Sequence, residues 1–186
     1  MIIMNAPLLG AIFRGYPKTI PKQPMPMKRI LSVALFAFLL CACGNKTLLD
    51  ENRTFANDTW MRFAPEHFDV PVGNTGDCYN FDVTLVIDTA VYHETALPIM
   101  MEIESPDKEK RTLFSTILLR NHEGSWLGHF GDDGLFTVTQ TVRQFYFFNT
   151  TGTHSVNLGQ RTHRYEIRGI KSLHFSIVKA KLEYPE

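Results

Sequence analysis

The residue whose type and position best suit a defined chemistry is Cys43, in the run Leu40-Cys41-Ala42-Cys43. A basic segment, Met27-Lys28-Arg29, and an apolar stretch of 11 residues, 30–40, precede it, which is the layout of a secretory signal. A cysteine after such a stretch and a small residue is typical of bacterial lipoproteins, in which the thiol is acylated. The sequence therefore predicts cleavage before Cys43, which becomes the lipidated first residue of the mature protein.

The acyl chains are the predicted membrane attachment, because a stretch of 11 residues is shorter than the about 20 that a spanning helix needs. The residue after the cysteine is Gly44. In some bacteria an Asp at that position retains a lipoprotein in the inner membrane. No acidic run of the kind that marks surface export in some bacteria follows either. We therefore predict an outer-membrane lipid anchor on the periplasmic face.

Cleavage at this site divides the chain into segments. Residues 1–26 contain five prolines and are predicted to be an upstream extension from a misassigned start, with an unusually long basic region of the signal as the alternative. Residues 27–42 are the predicted signal peptide. Residues 43–58 are predicted to be the lipidated cysteine and a flexible tether, and residues 59–186 a folded domain.

Charge and cysteine content limit the functions of the mature part. Five of the 19 Lys and Arg precede Cys43, whereas all 19 Asp and Glu follow it, so the mature part is acidic. This balance argues against nucleic acid as a partner, since phosphate binding needs clustered basic residues. Cys78 is the one cysteine left after Cys43, and we expect it to be a small buried hydrophobe rather than a nucleophile.

Alternating apolar residues predict the fold. Tyr79, Phe81, Val83, Leu85 and Ile87 share one face of a strand, and a second run places Leu97, Ile99, Met101 and Ile103 inward. Further strands are predicted at 111–119, 136–148, 163–167 and 172–183, with a short one possible at 125–129. The sequence predicts an all-β antiparallel sandwich of roughly seven to eight strands.

A glycine-rich loop at 121–135 holds the densest set of candidate ligands. Carboxylates are hard oxygen ligands, and an indole face packs against a pyranose ring, so the loop could hold a calcium ion or a sugar. The alternative is a surface loop whose tryptophan closes the end of the sandwich. The candidate residues are Glu123, Trp126, His129, Asp132 and Asp133.

Signatures of catalysis and of cofactor binding are absent from the sequence. The chain has no His-Glu-x-x-His, no Gly-x-Ser-x-Gly, no phosphate-binding loop and no dinucleotide fingerprint. We therefore expect no metal, no cofactor and no enzymatic activity. A hydrolase remains the least supported alternative, because it would require two carboxylates, or a carboxylate and a histidine, to converge in one cleft.

A family resemblance rests on the signal and on three later stretches. These stretches are Gly124-Ser125-Trp126-Leu127-Gly128, Gly131-Asp132 and the ending Tyr165-Glu166-Ile167-Arg168-Gly169-Ile170-Lys171-Ser172-Leu173. On these residues the chain resembles the gliding-motility lipoprotein family, member H, of the Bacteroidota. The chain departs from the family at Lys171-Ser172-Leu173-His174, where members show an Asp-Val-Gly-like end.

The resemblance implies an outer-membrane lipoprotein needed for gliding and linked to the secretion of adhesins, without enzymatic activity. We expect an envelope scaffold whose partners are the membrane, through Cys43, and other envelope proteins. The alternative is a glycan-binding lipoprotein of a polysaccharide-uptake system, with Trp126 as its platform. Asp88-Thr89-Ala90 also resembles an O-glycosylation acceptor of exported Bacteroidota proteins, which would modify Thr89, the alternative being a plain strand-end turn.

Overall fold

The computed structural model describes residues 47–181, which form eleven strands and a short 3-10 helix at Ala56–Asp58. The strands are β1 (Thr47–Thr54), β2 (Thr59–Met61), β3 (Glu66–Val72), β4 (Cys78–Ile87), β5 (Ala96–Glu104), β6 (Lys110–Leu118), β7 (His129–Phe130), β8 (Phe136–Phe147), β9 (Gly152–Gln160), β10 (Glu166–Arg168) and β11 (Ile170–Lys179).

Two antiparallel sheets make up most of this structure. The first has the strand order β1-β11-β4-β8-β7 and the second the order β3-β9-β5-β6, while β2 and β10 form a separate pair. The predicted all-β antiparallel sandwich is confirmed, with more strands than the sequence predicted. No helix within residues 47–181 is long and apolar enough to cross a membrane.

The core lies between the inner faces of the two sheets. All five predicted inward residues of β4 and all four of β5 are buried, as expected from their period of two. The Phe68 ring of β3 packs against the Phe175 ring of β11, with centroids 5.1 Å apart, which joins one sheet to the other. Phe81 of β4 contacts Phe175 from the side, with centroids 5.9 Å apart.

The predicted tether is wrong for residues 47–58, because β1 pairs with β11 along its length and the 3-10 helix follows it. The alternation of apolar residues does not predict this strand, because its inward positions are not all apolar. Leu49 is buried, but Glu51 and Arg53, at the next inward positions, form an ion pair of 2.6 Å at the margin of the sandwich. Residues 1–46, with the predicted signal peptide and Cys43, lie outside the described residues.

Strands β3 and β9 were not predicted either, each for its own reason. β3 contains Pro71 at the edge of the second sheet, where a missing N–H is tolerated. In β9, two of the inward residues are the polar His154 and Gln160, which obscures the alternation. The strands predicted at 163–167 and 125–129 are shorter and displaced, to β10 and β7.

Side chains connect the two sheets at both margins. On one side, Arg53 of β1 donates to the His67 carbonyl of β3 at 3.0 Å. On the other side, the Gln140 side chain of β8 accepts from the Leu118 N–H at 2.9 Å and donates to the Thr116 carbonyl at 3.0 Å. These bonds satisfy part of the exposed backbone of the edge strands β3 and β6, which would otherwise be open to pairing with another chain.

Candidate functional site

The Trp126 side chain, predicted as a glycan platform, packs within an aromatic cluster. The Arg120 guanidinium lies 3.6 Å from the centroid of the indole. The Phe136 ring lies 4.5 Å and the Phe130 ring 5.6 Å from it, and Phe136 is fully buried. The cluster closes the sandwich beside β7 and β8, so the indole mainly serves packing, as the alternative for this loop proposed.

The acidic residues of the same loop do not converge on one point, and one of them, Asp133, stabilises a turn. The Asp133 carboxylate accepts from the Leu135 N–H at 3.1 Å, which ties the Gly131–Leu135 turn. Glu123 lies 3.7 Å from the ring nitrogen of its neighbour His122, and Asp132 is exposed. Within residues 47–181 no group of three or more His, Cys, Asp or Glu side chains is arranged to hold a metal ion.

Two glycines of the family-like stretches, Gly128 and Gly169, are required by the local backbone geometry. A Cβ at Gly128 would lie 2.0 Å from the Thr137 carbonyl oxygen, so the backbone there approaches β8 too closely for any side chain. Gly169 has a φ of +87° and closes against the turn after β4, where its carbonyl accepts from the Asp88 N–H at 2.8 Å. Both residues therefore shape turns.

The remaining predicted residues lie apart from this loop. Cys78 is buried, as expected for a small hydrophobe, and it forms no disulfide within residues 47–181. Thr89 lies in the turn that follows β4, where the Asp88 carboxylate accepts from the Ala90 N–H at 2.9 Å. The geometry of that turn matches the plain turn alternative and leaves modification of Thr89 a prediction.

A cleft of about 260 Å³ lies at one end of the second sheet, and sequence analysis did not predict it. The Arg164 guanidinium and the Glu94 carboxylate form an ion pair of 2.8 Å at its rim. Tyr92 lines it and is buried, with its hydroxyl donating to the Ala96 carbonyl at 3.3 Å. The other lining residues are Pro98, Arg161, Thr162, His163 and Ile167.

The electrostatics of the cleft suit binding better than proton transfer. Burial, and to a smaller extent the nearby Glu94 carboxylate, raises the pKa of Tyr92 to about 12. The phenol therefore stays protonated at neutral pH and cannot serve as a base there. The single carboxylate of the rim is engaged by Arg164, so the cleft presents guanidinium groups and apolar walls.

Exposed aromatic rings adjoin this cleft. Phe63 is 75% exposed and packs against Tyr165, which is 63% exposed, with ring centroids 5.9 Å apart. Phe114 of β6 is 63% exposed, and the Arg161 guanidinium lies 4.6 Å from its ring centroid. We call this region the arginine–aromatic surface, and its residues are Arg62, Phe63, Phe114, Arg161, Arg164 and Tyr165.

One sequence signal could have identified part of this surface. Residues 112–119 mix apolar residues on both faces of β6, which the alternation alone could not assign. In the structure, Ile117 faces the core while Phe114 and Leu118 point to solvent on the outer face. An apolar residue on the solvent face of an edge strand is a signal for an interaction surface.

A comparison with protein-family models identifies a family. The family model of the GldH lipoprotein matches residues 47–177, which is well over half of the chain and nearly all of the described part. No curated protein matches the chain. The matched residues include both sheets, the Trp126 loop and the cleft.

Proposed function

Because the chain belongs to the GldH lipoprotein family, we propose that it is a non-enzymatic envelope lipoprotein that acts through contacts with other proteins. The family match is the observation that carries this proposal. The role it supports is that of a scaffold or accessory component of gliding motility and of the linked protein-secretion machinery. The cleft agrees with such a role, since it offers guanidinium groups and apolar walls for binding.

The proposed attachment to the membrane is through acyl chains on Cys43. Two acyl chains suffice for stable anchoring, whereas one gives marginal, reversible binding. Gly44 and the residues after it favour the outer membrane, on the periplasmic face. With the lipid at Cys43 and β1 beginning at Thr47, only a few residues separate the anchor from the sandwich, so the domain would be held close to the bilayer.

The anchor is tested by substituting Cys43→Ala in the native host. We expect the variant to leave the outer-membrane fraction, because no other part of the mature chain is proposed to hold it there. Cys41→Ala is the matched control, since Cys41 is removed with the signal peptide, and it is expected to fractionate like the wild type. Retention of the Cys43→Ala protein in the outer membrane would contradict the lipid anchor.

The scaffold role is tested by deleting the gene and scoring both surface motility and the secretion of adhesins. We expect both to be lost and both to be restored by the wild-type gene. Restoration by the Cys43→Ala gene should be poor if anchoring is needed. Normal motility and normal secretion in the deletion strain would exclude the proposed role.

The alternative function, a glycan-binding lipoprotein of a polysaccharide-uptake system, depends on an accessible indole at Trp126. Arg120 already lies over that ring, which argues against a free stacking platform. Titration of the mature protein against a panel of polysaccharides tests the alternative. Saturable binding that Trp126→Ala abolishes would restore it.

Modification of Thr89 is a separate proposal that rests on the Asp88-Thr89-Ala90 triplet. The mass of the protein isolated from its host tests it directly. We expect a mass excess that disappears in Thr89→Ala and persists in Thr95→Ala, a neighbouring threonine outside the triplet. An unmodified wild-type mass would remove the proposal.

A further inference from the structure

The outer face of the second sheet is divided along its strands into two unlike halves. Toward the cleft, most of its outward residues are apolar or carry a guanidinium group: Pro98, Met100, Phe114, Leu118 and Arg161, with the polar Thr116 among them. Toward the other end, the outward residues are the charged Glu102, Glu104 and Lys110 with the polar Asn157 and Ser155. Only the first half has the composition of a protein interface core, in which aromatic residues, Met and Arg are enriched.

The arginines of this half have unused binding capacity. Within residues 47–181, neither Arg62 nor Arg161 has a carboxylate within the 4.0 Å that defines an ion pair. Each guanidinium instead lies over an exposed ring, Arg62 at 5.4 Å from Phe63 and Arg161 at 4.6 Å from Phe114. A guanidinium stacked on a ring is held in place with its N–H donors at the edge, where a carboxylate can reach them. One donor of Arg161 meets only a weak acceptor, the Met100 sulfur at 3.7 Å.

The cleft and the exposed rings form one continuous surface. Arg161 and Pro98 line the cleft and also the adjoining depression beside Phe114. On the other side, Arg164 at the cleft rim precedes Tyr165, whose carbonyl accepts from the Arg62 N–H at 2.8 Å. A ligand in extended conformation could therefore contact the cleft and three guanidinium groups at once.

We propose that the arginine–aromatic surface binds an acidic segment of a partner protein. Carboxylates of that segment pair with Arg62 and Arg161, while Arg164 stays paired with Glu94 at the rim. One apolar side chain of the segment enters the cleft beside Tyr92. The inference deepens the proposed scaffold function, on which it rests, by stating the chemistry of the partner. Charge complementarity carries the choice of occupant, because guanidinium groups without carboxylates stand out on a domain that is acidic overall.

A second copy of this chain fits the surface less well. The carboxylates at the far end of the same face, Glu102 and Glu104, already pair with Lys110 at 3.3 and 3.2 Å, and Glu104 also pairs with Lys108 at 2.9 Å. Hydrogen bonds from these lysines lower the pKa of Glu104, so its charge is already compensated. A lipid headgroup would satisfy the guanidinium groups but would not fill the cleft.

The test uses the mature protein in detergent micelles and a fluorescent peptide in which Glu and Leu alternate. The matched control peptide has Gln in place of each Glu. We expect saturable binding of the Glu peptide by anisotropy, weakening as salt is added, and little binding of the Gln peptide. Arg161→Glu is expected to weaken it by about tenfold or more, and Phe114→Ala by several-fold.

Arg143→Glu is the matched control variant, because Arg143 is exposed on β8 of the other sheet and the charge change is the same. It should bind the Glu peptide like the wild type. Equal affinity for the Glu and Gln peptides, or equal loss in Arg143→Glu and Arg161→Glu, would overturn the proposal. Circular dichroism of each variant checks that the fold is retained.

Two further measurements separate the other occupants. The first is binding of the Cys43→Ala protein to vesicles of phosphatidylglycerol, with phosphatidylcholine vesicles as the control. Binding that depends on Arg161 would identify the occupant as a lipid surface and overturn the acidic segment. A concentration-dependent dimer that Arg161→Glu dissolves would replace it by a second copy. All these assays use purified protein, so a negative peptide result would not contradict the proposed envelope role. Conversely, a Cys43→Ala protein that stays in the outer membrane would not contradict peptide binding.

Discussion

The two outer faces of this sandwich differ in where their side chains find partners. On the first sheet, polar residues of neighbouring strands bind one another: Thr84 and Thr139 hydroxyls lie 2.8 Å apart, and the Thr141 hydroxyl donates to Asp82 at 2.5 Å. The His174 ring pairs with Asp50 at 2.5 Å on the same face. On the second sheet, the half near the cleft presents apolar side chains and guanidinium groups without carboxylates.

This difference indicates which face is available for recognition. Cross-strand hydrogen bonds and threonine side chains leave the first face with its polar groups largely satisfied, as a solvated sheet requires. The exposed Phe114 ring gains little from water, so its burial by a partner would be favourable. At the far end of the first sheet, Phe145 and Phe147 are each 47% exposed.

The largest expected effect is the loss of stability on removing a ring from the core, compared with removing one from the outer face of the second sheet. Phe81 is fully buried against Tyr146, Phe148 and Phe175, so Phe81→Ala should lower the free energy of unfolding by about 3–5 kcal/mol. Phe114→Ala removes the same ring from the outer face and should cost less than about 1 kcal/mol. Urea denaturation measures both, and a similar loss in the two variants would mean that Phe114 is structural.

The next effect concerns the Tyr92 phenol in the cleft. Its pKa is raised to about 12 in the folded protein, above its value of about 10 in the unfolded chain. The stabilisation is therefore fully present below pH 10 and is lost as the pH rises toward 12, by roughly 1–3 kcal/mol. Because burial also raises the pKa of Tyr79 and Tyr146, Tyr92→Phe should remove only part of this alkaline loss.

Denaturation of the wild type and the variant between pH 8 and pH 12 provides the measurement for Tyr92. Tyr165→Phe is the matched control, since Tyr165 is 63% exposed on the same surface, and it should keep the full alkaline loss. An alkaline profile of Tyr92→Phe identical to that of the wild type would show that the phenol is not buried as described.

A smaller effect is expected where the two faces meet. Gln140→Ala removes the two side-chain bonds to the backbone of β6 and should cost about 1 kcal/mol. The uncovered edge should also promote association between chains, which light scattering detects. Gln144→Ala, an exposed glutamine of the same strand, is the control and should change neither quantity. A fully monomeric, undestabilised Gln140→Ala protein would contradict a protective role.

The smallest effect on stability is expected for a double variant that makes the outer face of the first sheet more apolar without adding a guanidinium group. Thr84→Val with Thr139→Val removes both hydroxyls of one hydrogen bond, so the stability should change by less than about 0.5 kcal/mol. The double variant should gain no affinity for the acidic peptide, because it adds no guanidinium group. Binding of that peptide to the double variant would show that apolar area, rather than charge, drives recognition.

Much of the fold could be predicted from the sequence, because β4 and β5 alternate strictly and bury every predicted inward residue. β1 and β9 could not, since charged or polar side chains such as Arg53 and Gln160 occupy inward positions. Such residues are tolerated at the margin of a sandwich, where Arg53 reaches the Phe68 ring at 4.6 Å and the His67 carbonyl. An alternation rule that assumes apolar inward residues cannot detect them. β3 alternates regularly but contains a proline, Pro71, which argues against a strand.

The candidate site was less predictable than the fold. Trp126 was singled out because tryptophan among glycines and carboxylates resembles a ligand loop, but its ring packs against Arg120 and Phe136 instead. The residues that form the arginine–aromatic surface lie far apart in the chain, from Arg62 to Tyr165, and only Tyr165 lies in one of the family-like stretches. Only the pairing of β5 with β6 and β9 brings Phe114 and Arg161 together.

The family resemblance, the sandwich class and the candidate lipid site at Cys43 follow from the sequence alone, because each depends on local order: a signal, a motif or a period of two. Which polar residues have hydrogen-bond partners, in contrast, is a property of the folded chain. That property depends on neighbours across strands, as for Thr84 with Thr139 or Arg161 with Phe114, and a linear pattern does not specify those neighbours.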